Sequence, residues 1–203
     1  MSERAPPVVH LVDDDPSILS ALSRLLRGAG HRCEAHGSAE AFLARHDPEE
    51  HGCAVLDLGL PGMDGFGIQA SLTGAAARPV VFLTARGDVP ASVRAMKAGA
   101  VDFLTKPVEP EALLAAVAEA LRRDAASRAA RQSEAEIDRR LATLTPRERQ
   151  VLDRVVAGRL NKQIAADIGA AEKTVKIHRS RVMRKMAART AADLIRLVVG
   201  RGA

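Results

Sequence analysis

Short apolar runs alternate with longer amphipathic segments along the first 123 residues of the chain. The runs have the length and the flanking turn residues of buried strands, and the segments between them have apolar residues at helical spacing. The predicted strands are Val8–Val12, Arg32–His36, Cys53–Asp57, Pro79–Thr84 and Val101–Thr105. The predicted helices are Pro16–Ala29, Ser38–Arg45, Gly65–Leu72, Val89–Ala98 and Glu109–Arg123.

Strict alternation of strands and helices predicts an α/β fold with a parallel sheet covered by helices on both faces. We expect a flavodoxin-like, doubly wound, five-stranded sheet with the strand order 2-1-3-4-5. Sheets of this kind bind ligands beyond the carboxyl ends of their strands.

The pattern changes to helices alone in the last third of the chain. Predicted helices are Pro146–Ala157, Asn161–Ile168, Glu172–Met186 and Thr190–Val199. A short helix, a turn with a glycine and a longer basic helix are typical of a helix-turn-helix. We therefore expect a first domain over residues 1–123 and a small all-α helix-turn-helix domain over residues 143–203. The Ala-, Arg- and Glu-rich residues 124–142 form either a helical linker or a flexible tether.

Composition narrows the class of protein only slightly. Hydrophobic residues make up 47% of the chain and aromatic residues 2%, so aliphatic side chains must fill the cores. The two cysteines, Cys33 and Cys53, are expected to be buried thiols in a cytoplasmic protein, because no signal peptide or long apolar run is present. His10, on the first strand, is assigned to packing.

Charge separates the two ends of the chain. Residues 1–124 contain 12 basic and 17 acidic residues, a net charge of −5, whereas residues 144–203 contain 14 and 5, a net charge of +9. Two domains with different partners follow from this asymmetry, and the basic one is expected to bind a polyanion.

Acidic residues end two strands that are neighbours in the expected sheet. Asp13 and Asp14 follow the first strand, and Asp57 ends the third. Three converging carboxylates repel each other unless a cation lies between them, and hard oxygen ligands favour Mg²⁺. Thr84 and Lys106 follow the fourth and fifth strands, and a hydroxyl and an ammonium beside a metal-bound carboxylate suit a phosphoryl group.

These residues lie in motifs that resemble the receiver domain of two-component response regulators. The motifs, in order, are "VDDD", "LDLGLPGMDG", "FLTARGD" and "DFLTKP", and the resemblance covers residues 7–122. It implies that Asp57 is the phosphoacceptor, that Asp14 binds Mg²⁺ directly and that Asp13 binds it through water. The backbone carbonyl of Gly59, where the family often has a longer residue, would be the remaining protein ligand.

The same resemblance assigns roles to the other residues. Thr84 and Lys106 would hold the phosphoryl oxygens, and Phe103 would be the aromatic switch unless it is an ordinary core residue. A cis peptide is expected between Lys106 and Pro107. Asp15 and Asp64 are expected to act at helix N-termini rather than in the chemistry.

The third helix of the basic domain has two different faces. At 100° per residue, Val175, His178, Val182 and Met186 fall on one side, with Arg179 at its margin. The opposite side can read bases and contact phosphates in a major groove. Its residues are Lys173, Thr174, Lys176, Ile177, Ser180, Arg181 and Arg184. Asn161 and Lys162, at the start of the preceding helix, are expected to approach a phosphate.

Residues 144–199 resemble the LuxR-type helix-turn-helix output domain. The resemblance rests on "LTPRERQVL", "GRLNKQIAADIG", "KTVKIHRSRVMRKM" and "AADLIRLV". Ala170 and Ala171 replace the usual apolar residue and serine before the recognition helix, so a helix cap is lost. Leu194, Ile195 and Val198 would either help to dimerise the DNA-bound domain or belong to its core.

The complete architecture is similar to the FixJ-type subgroup, most closely in "TARGDVPASVRAMKAGAVDFLTKP". The resemblance implies a transcription factor that is phosphorylated by a sensor histidine kinase, dimerises and binds double-stranded promoter DNA, with RNA polymerase as a further partner. Val93, Met96 and Lys97 are the candidates for the receiver dimer face, with packing inside the monomer as the alternative. No membrane partner is expected.

Two other functions remain open from the sequence. An aspartyl phosphatase would use the same nucleophile, but such enzymes generally need a second acid two residues later, where this chain has Gly59. A DNA-binding protein regulated only by its amount would not need Asp57 at all.

Overall fold

The computed structural model describes residues 6–72, 74, 77–85 and 89–200. Five parallel strands form one sheet in the order β2-β1-β3-β4-β5, which confirms the predicted fold class. The strands are β1 (Val8–Val12), β2 (Arg32–His36), β3 (Gly52–Asp57), β4 (Val80–Thr84) and β5 (Asp102–Thr105). Their carboxyl ends therefore lie along the same edge of the sheet.

Four helices alternate with the strands. They are α1 (Pro16–Gly28), α2 (Ala39–Arg45), α3 (Gly65–Ser71) and α4 (Val89–Lys97). Side chains cap the first three helices: Asp15 accepts a hydrogen bond from the backbone N–H of Ser17, Ser38 from that of Ala41, and Asp64 from that of Gly67. These bonds satisfy N–H groups that have no partner inside the helix, so the helices begin where the sequence predicts.

Both faces of the sheet are covered, and each has its own apolar core. One core joins sheet residues such as Val9 and Leu11 to Leu22 and Leu26 of α1 and to the first part of the fifth helix. The other places Phe42 among residues of α2, α3 and α4. Strands that are buried along their whole length, such as β1, β3 and β4, are expected when helices pack on both faces.

The fifth helix, α5 (Pro110–Ala142), is much longer than the helix predicted over Glu109–Arg123. It continues through residues 124–142, as the helical interpretation of this segment predicts and the flexible tether does not. The chain divides into two compact units, Met1–Ser127 and Arg128–Ala203. Asp124 of α5 belongs to the first unit, where its carboxylate accepts a hydrogen bond from the backbone N–H of Gly52. In the part of the chain that the structure describes, neither α5 nor any other helix is both long and apolar enough to span a membrane.

The second unit is helical throughout its described residues. After the end of α5 come α6 (Pro146–Val156), α7 (Asn161–Ile168), α8 (Glu172–Lys185) and α9 (Ala191–Val199). Ile137 and Leu141 of α5 are buried in its core together with residues of all four of these helices. Thr190 caps α9, and Thr145 caps α6.

Candidate functional site

The acidic residues of β1 and β3 meet in an open cleft at the carboxyl edge of the sheet. Asp13 and Asp57 are buried, with exposed fractions of 2% and 6%, whereas Asp14 is exposed. The cleft has a volume of about 640 Å³, and the predicted residues Asp13, Asp14, Asp57, Gly59, Thr84 and Lys106 all line it. The structure therefore brings together the set of residues that the sequence predicts to form one site.

Lys106 connects the two buried carboxylates. Its Nζ donates to Asp13 Oδ2 at 2.5 Å and lies 2.7 Å from Asp57 Oδ1. Burial lowers the pKa of the Lys106 ammonium, but the hydrogen bonds and charges of Asp13 and Asp57 outweigh it, so the pKa is raised overall. The ammonium thus remains charged and offsets the repulsion between the carboxylates.

Backbone N–H groups hold the remaining oxygens of this cluster. Gly59 donates to Asp57 Oδ2 at 2.9 Å, and Asp15 donates to Asp13 Oδ1 at 3.0 Å. The Asp15 side chain instead caps α1, and its hydrogen bonds from the hydroxyl and backbone of Ser17 lower its pKa. The prediction that Asp15 belongs to the helix rather than to the cluster is confirmed.

Thr84 and Phe103 occupy different positions relative to the cleft. Thr84 ends β4, is buried and lines the cleft. Phe103 on β5 is half-buried and packs against the core below, with its ring centroid 6.4 Å from that of Phe82. The peptide between Lys106 and Pro107 is cis, as expected. The last residues of the "FLTARGD" motif, 86–88, lie outside the described residues.

Gly65 contributes to the position of Asp57 in a way that the sequence did not reveal. It begins α3, and a Cβ at this residue would lie 2.8 Å from the carbonyl oxygen of Asp57 and 2.9 Å from the Phe82 ring. Only glycine allows α3 to approach the end of β3 this closely.

In the helical unit, α8 presents the predicted basic face to solvent. Val175, Val182 and Met186 are buried, which confirms the core side. The predicted contact residues are all exposed, and most of them line one shallow surface depression: Lys173, Lys176, Ile177, Ser180, Arg181 and Arg184. Thr174 is exposed beside them. Lys176 also forms an exposed ion pair with Glu172 at 3.1 Å.

Asn161 is positioned by a residue that the sequence placed only at the margin of the core. Arg179 Nη1 donates to Asn161 Oδ1 at 2.9 Å, whereas Lys162 is exposed. Because a guanidinium can only donate, the amide oxygen must face Arg179, which leaves the Asn161 NH₂ group as a donor. Arg179 thereby acts as a positioning residue at the start of α7.

Comparison with known protein families agrees with this geometry. Residues 9–118 match the model described as "Response regulator receiver domain", and residues 142–198 match "Bacterial regulatory proteins, luxR family". The transcriptional regulatory protein FixJ of Azorhizobium caulinodans is 40% identical over 200 residues, covering 98% of this chain and 94% of that protein. The chain belongs to the FixJ-type response regulators.

Other relatives share the same two-part organisation. Nodulation protein W of Bradyrhizobium diazoefficiens is 45% identical over 191 residues, covering 94% of this chain and 84% of that protein. The low-resolution structure of the response regulator StyR matches with a TM-score of 0.87 and 46% identity, covering 97% of this chain and 100% of that one. Full-length FixJ from B. japonicum matches with a TM-score of 0.57 and 36% identity, with 97% of each chain covered.

As a member of this family, the response regulator is a phosphorylation-dependent regulator of transcription, with a histidine kinase and DNA as its implied partners. Its relatives regulate transcription, which argues against the alternative of an aspartyl phosphatase. Ala171 occupies the N-cap position of α8 and provides no side-chain hydrogen bond, so the expected loss of a cap is confirmed.

The α4 surface of the response regulator carries an apolar stripe. Val93 and Met96 are 46% and 49% exposed, and Val89, one turn earlier, is 73% exposed. Lys97 is exposed beside them, whereas Ala95 faces the core. Packing inside the monomer therefore leaves about half of the Val93 and Met96 surface uncovered.

Proposed function

We propose that this response regulator accepts a phosphoryl group on Asp57 from a phosphohistidine of a sensor kinase, dimerises through its receiver domain and then binds promoter DNA. The observation that carries the proposal is the contact of Lys106 with both Asp13 and Asp57 in the cleft that Thr84 also lines. RNA polymerase would be a further partner once the dimer is bound at a promoter.

The cleft suits Mg²⁺ as the cofactor. Its available ligands are the carboxylates of Asp13, Asp14 and Asp57 and the backbone carbonyl of Gly59, so all of the donors are hard oxygens. The glycine at position 59 does not remove this ligand, because the contact uses the main chain. When bound, the ion supplies positive charge that stabilises the phosphoryl oxygens during transfer.

Asp57 would be the nucleophile. A carboxylate oxygen forms a bond to phosphorus while the bond from phosphorus to the imidazole nitrogen of the donor breaks, and the imidazole leaves with the bonding electron pair. The Asp57 carboxylate is poised for this step because Lys106 and the Gly59 N–H hold its two oxygens. Lys106 then exchanges its contact with the carboxylate for one with a phosphoryl oxygen.

The conformational response would begin at Thr84. Its hydroxyl lies at the cleft and can donate to a phosphoryl oxygen, which draws the end of β4 toward Asp57. Phe103, half-buried on the neighbouring strand, would then turn into the space that Thr84 leaves. Movement at this edge changes the α4 surface, where Val93, Met96 and Lys97 would pair with a second copy.

An apolar surface beside the cleft supports a protein as the phosphoryl donor. A cavity of about 820 Å³ extends from Lys106 along α1, and its lining is mostly apolar. Ala21, Leu25 and Val108 are among the residues that line it. A small phosphodonor in the cleft would not contact this surface. A kinase domain can pack on it while its phosphohistidine reaches Asp57.

DNA recognition would use the exposed face of α8 in the major groove. Lysine and arginine side chains contact phosphates or guanine edges, and Ile177 packs against a thymine methyl group. The Asn161 amide, oriented by Arg179, and Lys162 would contact a backbone phosphate. Two receiver-tethered copies bind paired half-sites more tightly than one, because the second contact becomes intramolecular.

The deciding experiment compares Asp57→Asn with Asp64→Asn in the full-length protein. Acetyl phosphate and Mg²⁺ should add one phosphoryl group, seen by intact mass, to the wild type and to Asp64→Asn but not to Asp57→Asn. Asp64 is the matched control because it is an exposed nearby acid whose capping role asparagine retains. Phosphorylation should also raise DNA affinity in the first two proteins only.

Two outcomes would contradict the proposal. Phosphorylation of Asp57→Asn would place the acceptor elsewhere. Equal DNA affinity of all three proteins, with and without phosphorylation, would support a DNA-binding protein that is regulated only by its amount.

A further inference from the structure

A second cluster of metal-ligating side chains lies on β1 and β2, where the Phe42 ring of α2 packs against both histidines. His10 on β1 and His36 on β2 are buried, with exposed fractions of 1% and 5%, and Glu34 precedes His36 on the same strand face. One ligand atom from each of these three residues lies within 4.8 Å of the others. From the sequence, His10 was expected only to pack in the core.

We propose that His10, Glu34 and His36 form a binding site for a transition metal ion of the Zn²⁺ class. Two imidazole nitrogens and one carboxylate, with a fourth position left for water, are a ligand set that Zn²⁺ accepts and Mg²⁺ does not. The cluster and the acidic cleft would therefore select different ions.

The hydrogen bonds of His10 direct one of its nitrogens toward this site. Nε2 lies 3.2 Å from Glu50 Oε2, and because a carboxylate only accepts, Nε2 carries the proton. With the proton on Nε2, the Nδ1 atom of this buried ring offers a lone pair toward His36 Nε2. A carboxylate that holds the second nitrogen of a ligating histidine is a common feature of zinc sites.

The distance between the two histidine nitrogens needs little adjustment, and a Glu34 oxygen lies within 4.8 Å of both. His10 Nδ1 and His36 Nε2 are 3.1 Å apart, close to the roughly 3.3 Å that separates two nitrogens on one tetrahedral Zn²⁺. His36 is buried and already presents Nε2 to His10, so a change of tautomer exposes the Nε2 lone pair to a metal ion.

The Glu34 carboxylate is held by Arg32 and is partly exposed to solvent. Arg32 Nη2 donates to Glu34 Oε1 at 2.8 Å, which leaves the other oxygen for a metal ion, and Arg32 also pairs with Glu50 at 3.6 Å. The Glu34 side chain is 29% exposed, so an ion can enter past it. The positive charge of Arg32 opposes cation binding, but both of its carboxylate partners reduce that effect.

The test uses full-length, chelator-treated protein titrated with Co²⁺ in excess Mg²⁺, which occupies the acidic cleft. We expect one equivalent of Co²⁺ with the visible absorption of a tetrahedral site, displacement by Zn²⁺, and a higher melting temperature with Zn²⁺. Glu34→Gln and His36→Gln should each weaken Co²⁺ binding at least about tenfold. His31→Gln, a nearby histidine outside the cluster, is the matched control and should bind as the wild type does.

Glu34→Gln keeps the test valid if His36→Gln fails to fold, because Glu34 is partly exposed and glutamine can still accept from Arg32. Absence of a tetrahedral spectrum in the wild type would overturn the proposal. So would an unchanged affinity in a folded Glu34→Gln protein, since Glu34 would then not be a ligand of the bound ion.

Discussion

Ala187 is, among the described residues, the only one other than glycine with a positive φ, at 52°. It follows α8, and the neighbouring Ala188 N–H returns to the Met183 carbonyl at 3.0 Å, a bond typical of a helix end that favours glycine. The backbone at this residue is therefore strained by its Cβ, and the contacts of the helix end hold it in place.

Replacing Ala187 by glycine should stabilise the protein. Relief of the left-handed strain outweighs the greater freedom of glycine in the unfolded chain, so we expect a gain of about 0.5–1 kcal/mol in the free energy of unfolding. Urea denaturation measures it. The control, Ala166→Gly at an exposed position of α7, should lose stability instead. A loss of similar size in both variants would show that Ala187 is not strained.

At the scale of elements, the buried Glu148 joins α6 to α8. Its carboxylate accepts from Lys185 Nζ at 2.6 Å and from the Thr145 backbone at 2.9 Å. The hydrogen bond from Lys185, followed by those from Thr145, lowers the Glu148 pKa to about 2. The unfolded chain binds this proton more readily than the folded one does, so the contribution of Glu148 is complete above the unfolded pKa and is lost as the pH falls.

Glu148→Gln should remove this pH dependence. We expect the variant to be less stable than the wild type near neutral pH and the difference to shrink between about pH 5 and pH 2. Thermal unfolding followed by circular dichroism across this range measures it. Glu172→Gln is the control, because it breaks only the exposed pair with Lys176 and should change stability little at any pH. If the stability difference between Glu148→Gln and the wild type stayed constant across this pH range, the lowered pKa of Glu148 would be contradicted.

The basic face of α8 predicts a specific salt dependence of DNA binding. Arg184→Ala should weaken binding and, if Arg184 contacts a phosphate, lower the slope of log affinity against log salt by about one. Fluorescence anisotropy at several salt concentrations measures the slope. Arg139→Ala removes an equally charged residue of the same unit that is 75% exposed on α5, and it should leave the slope unchanged. If Arg184→Ala and Arg139→Ala lowered the slope equally, the effect would come from the net charge of the unit and not from a contact of Arg184.

The two ends of the segment 124–142 show why the packing of α5 was harder to predict than its helical structure. The apolar stripe of residues 124–142 is thin, yet Ile137 and Leu141, one turn apart, are enough to bury that part of α5 in the helical core. Asp124 is tied to Gly52 instead. Local composition favours helix throughout this segment, but it does not say which unit each turn packs against.

At the scale of the whole molecule, the proposed switch links phosphorylation at Asp57 to pairing through α4. Met96→Lys should prevent phosphorylation-dependent dimerisation, because it places a charge within the apolar stripe of Val89, Val93 and Met96. Phosphorylation itself should be unaffected. Sedimentation velocity with acetyl phosphate measures the dimer, and intact mass measures the phosphoryl group.

The control adds the same charge elsewhere on the receiver unit. Ser20 is exposed on α1, and the Ser20→Lys variant should dimerise as the wild type does. If Met96→Lys dimerised normally, the pairing surface would lie outside α4. Loss of dimerisation in both variants would indicate that the added charge, and not its position on α4, prevents dimerisation.

The sequence by itself determined the type and order of nearly all the elements, the strand order and the carboxylates that end β1 and β3. The elements follow from local periodicity, and the strand order follows from the doubly wound fold that their alternation indicates. The meeting of the carboxylates follows from the rule that parallel strands end at one edge. The motifs also determined the family, since their order is specific.

Only the tertiary structure decided how distant side chains are used. Lys106 contacts both Asp13 and Asp57, and Arg179 orients the Asn161 amide. His10 lies within hydrogen-bond distance of His36 beneath α2. Each of these contacts joins residues far apart in the chain, and its geometry depends on how helices and strands pack. Hydrogen-bond direction and burial, which periodicity does not encode, therefore determine the chemistry that each residue can perform.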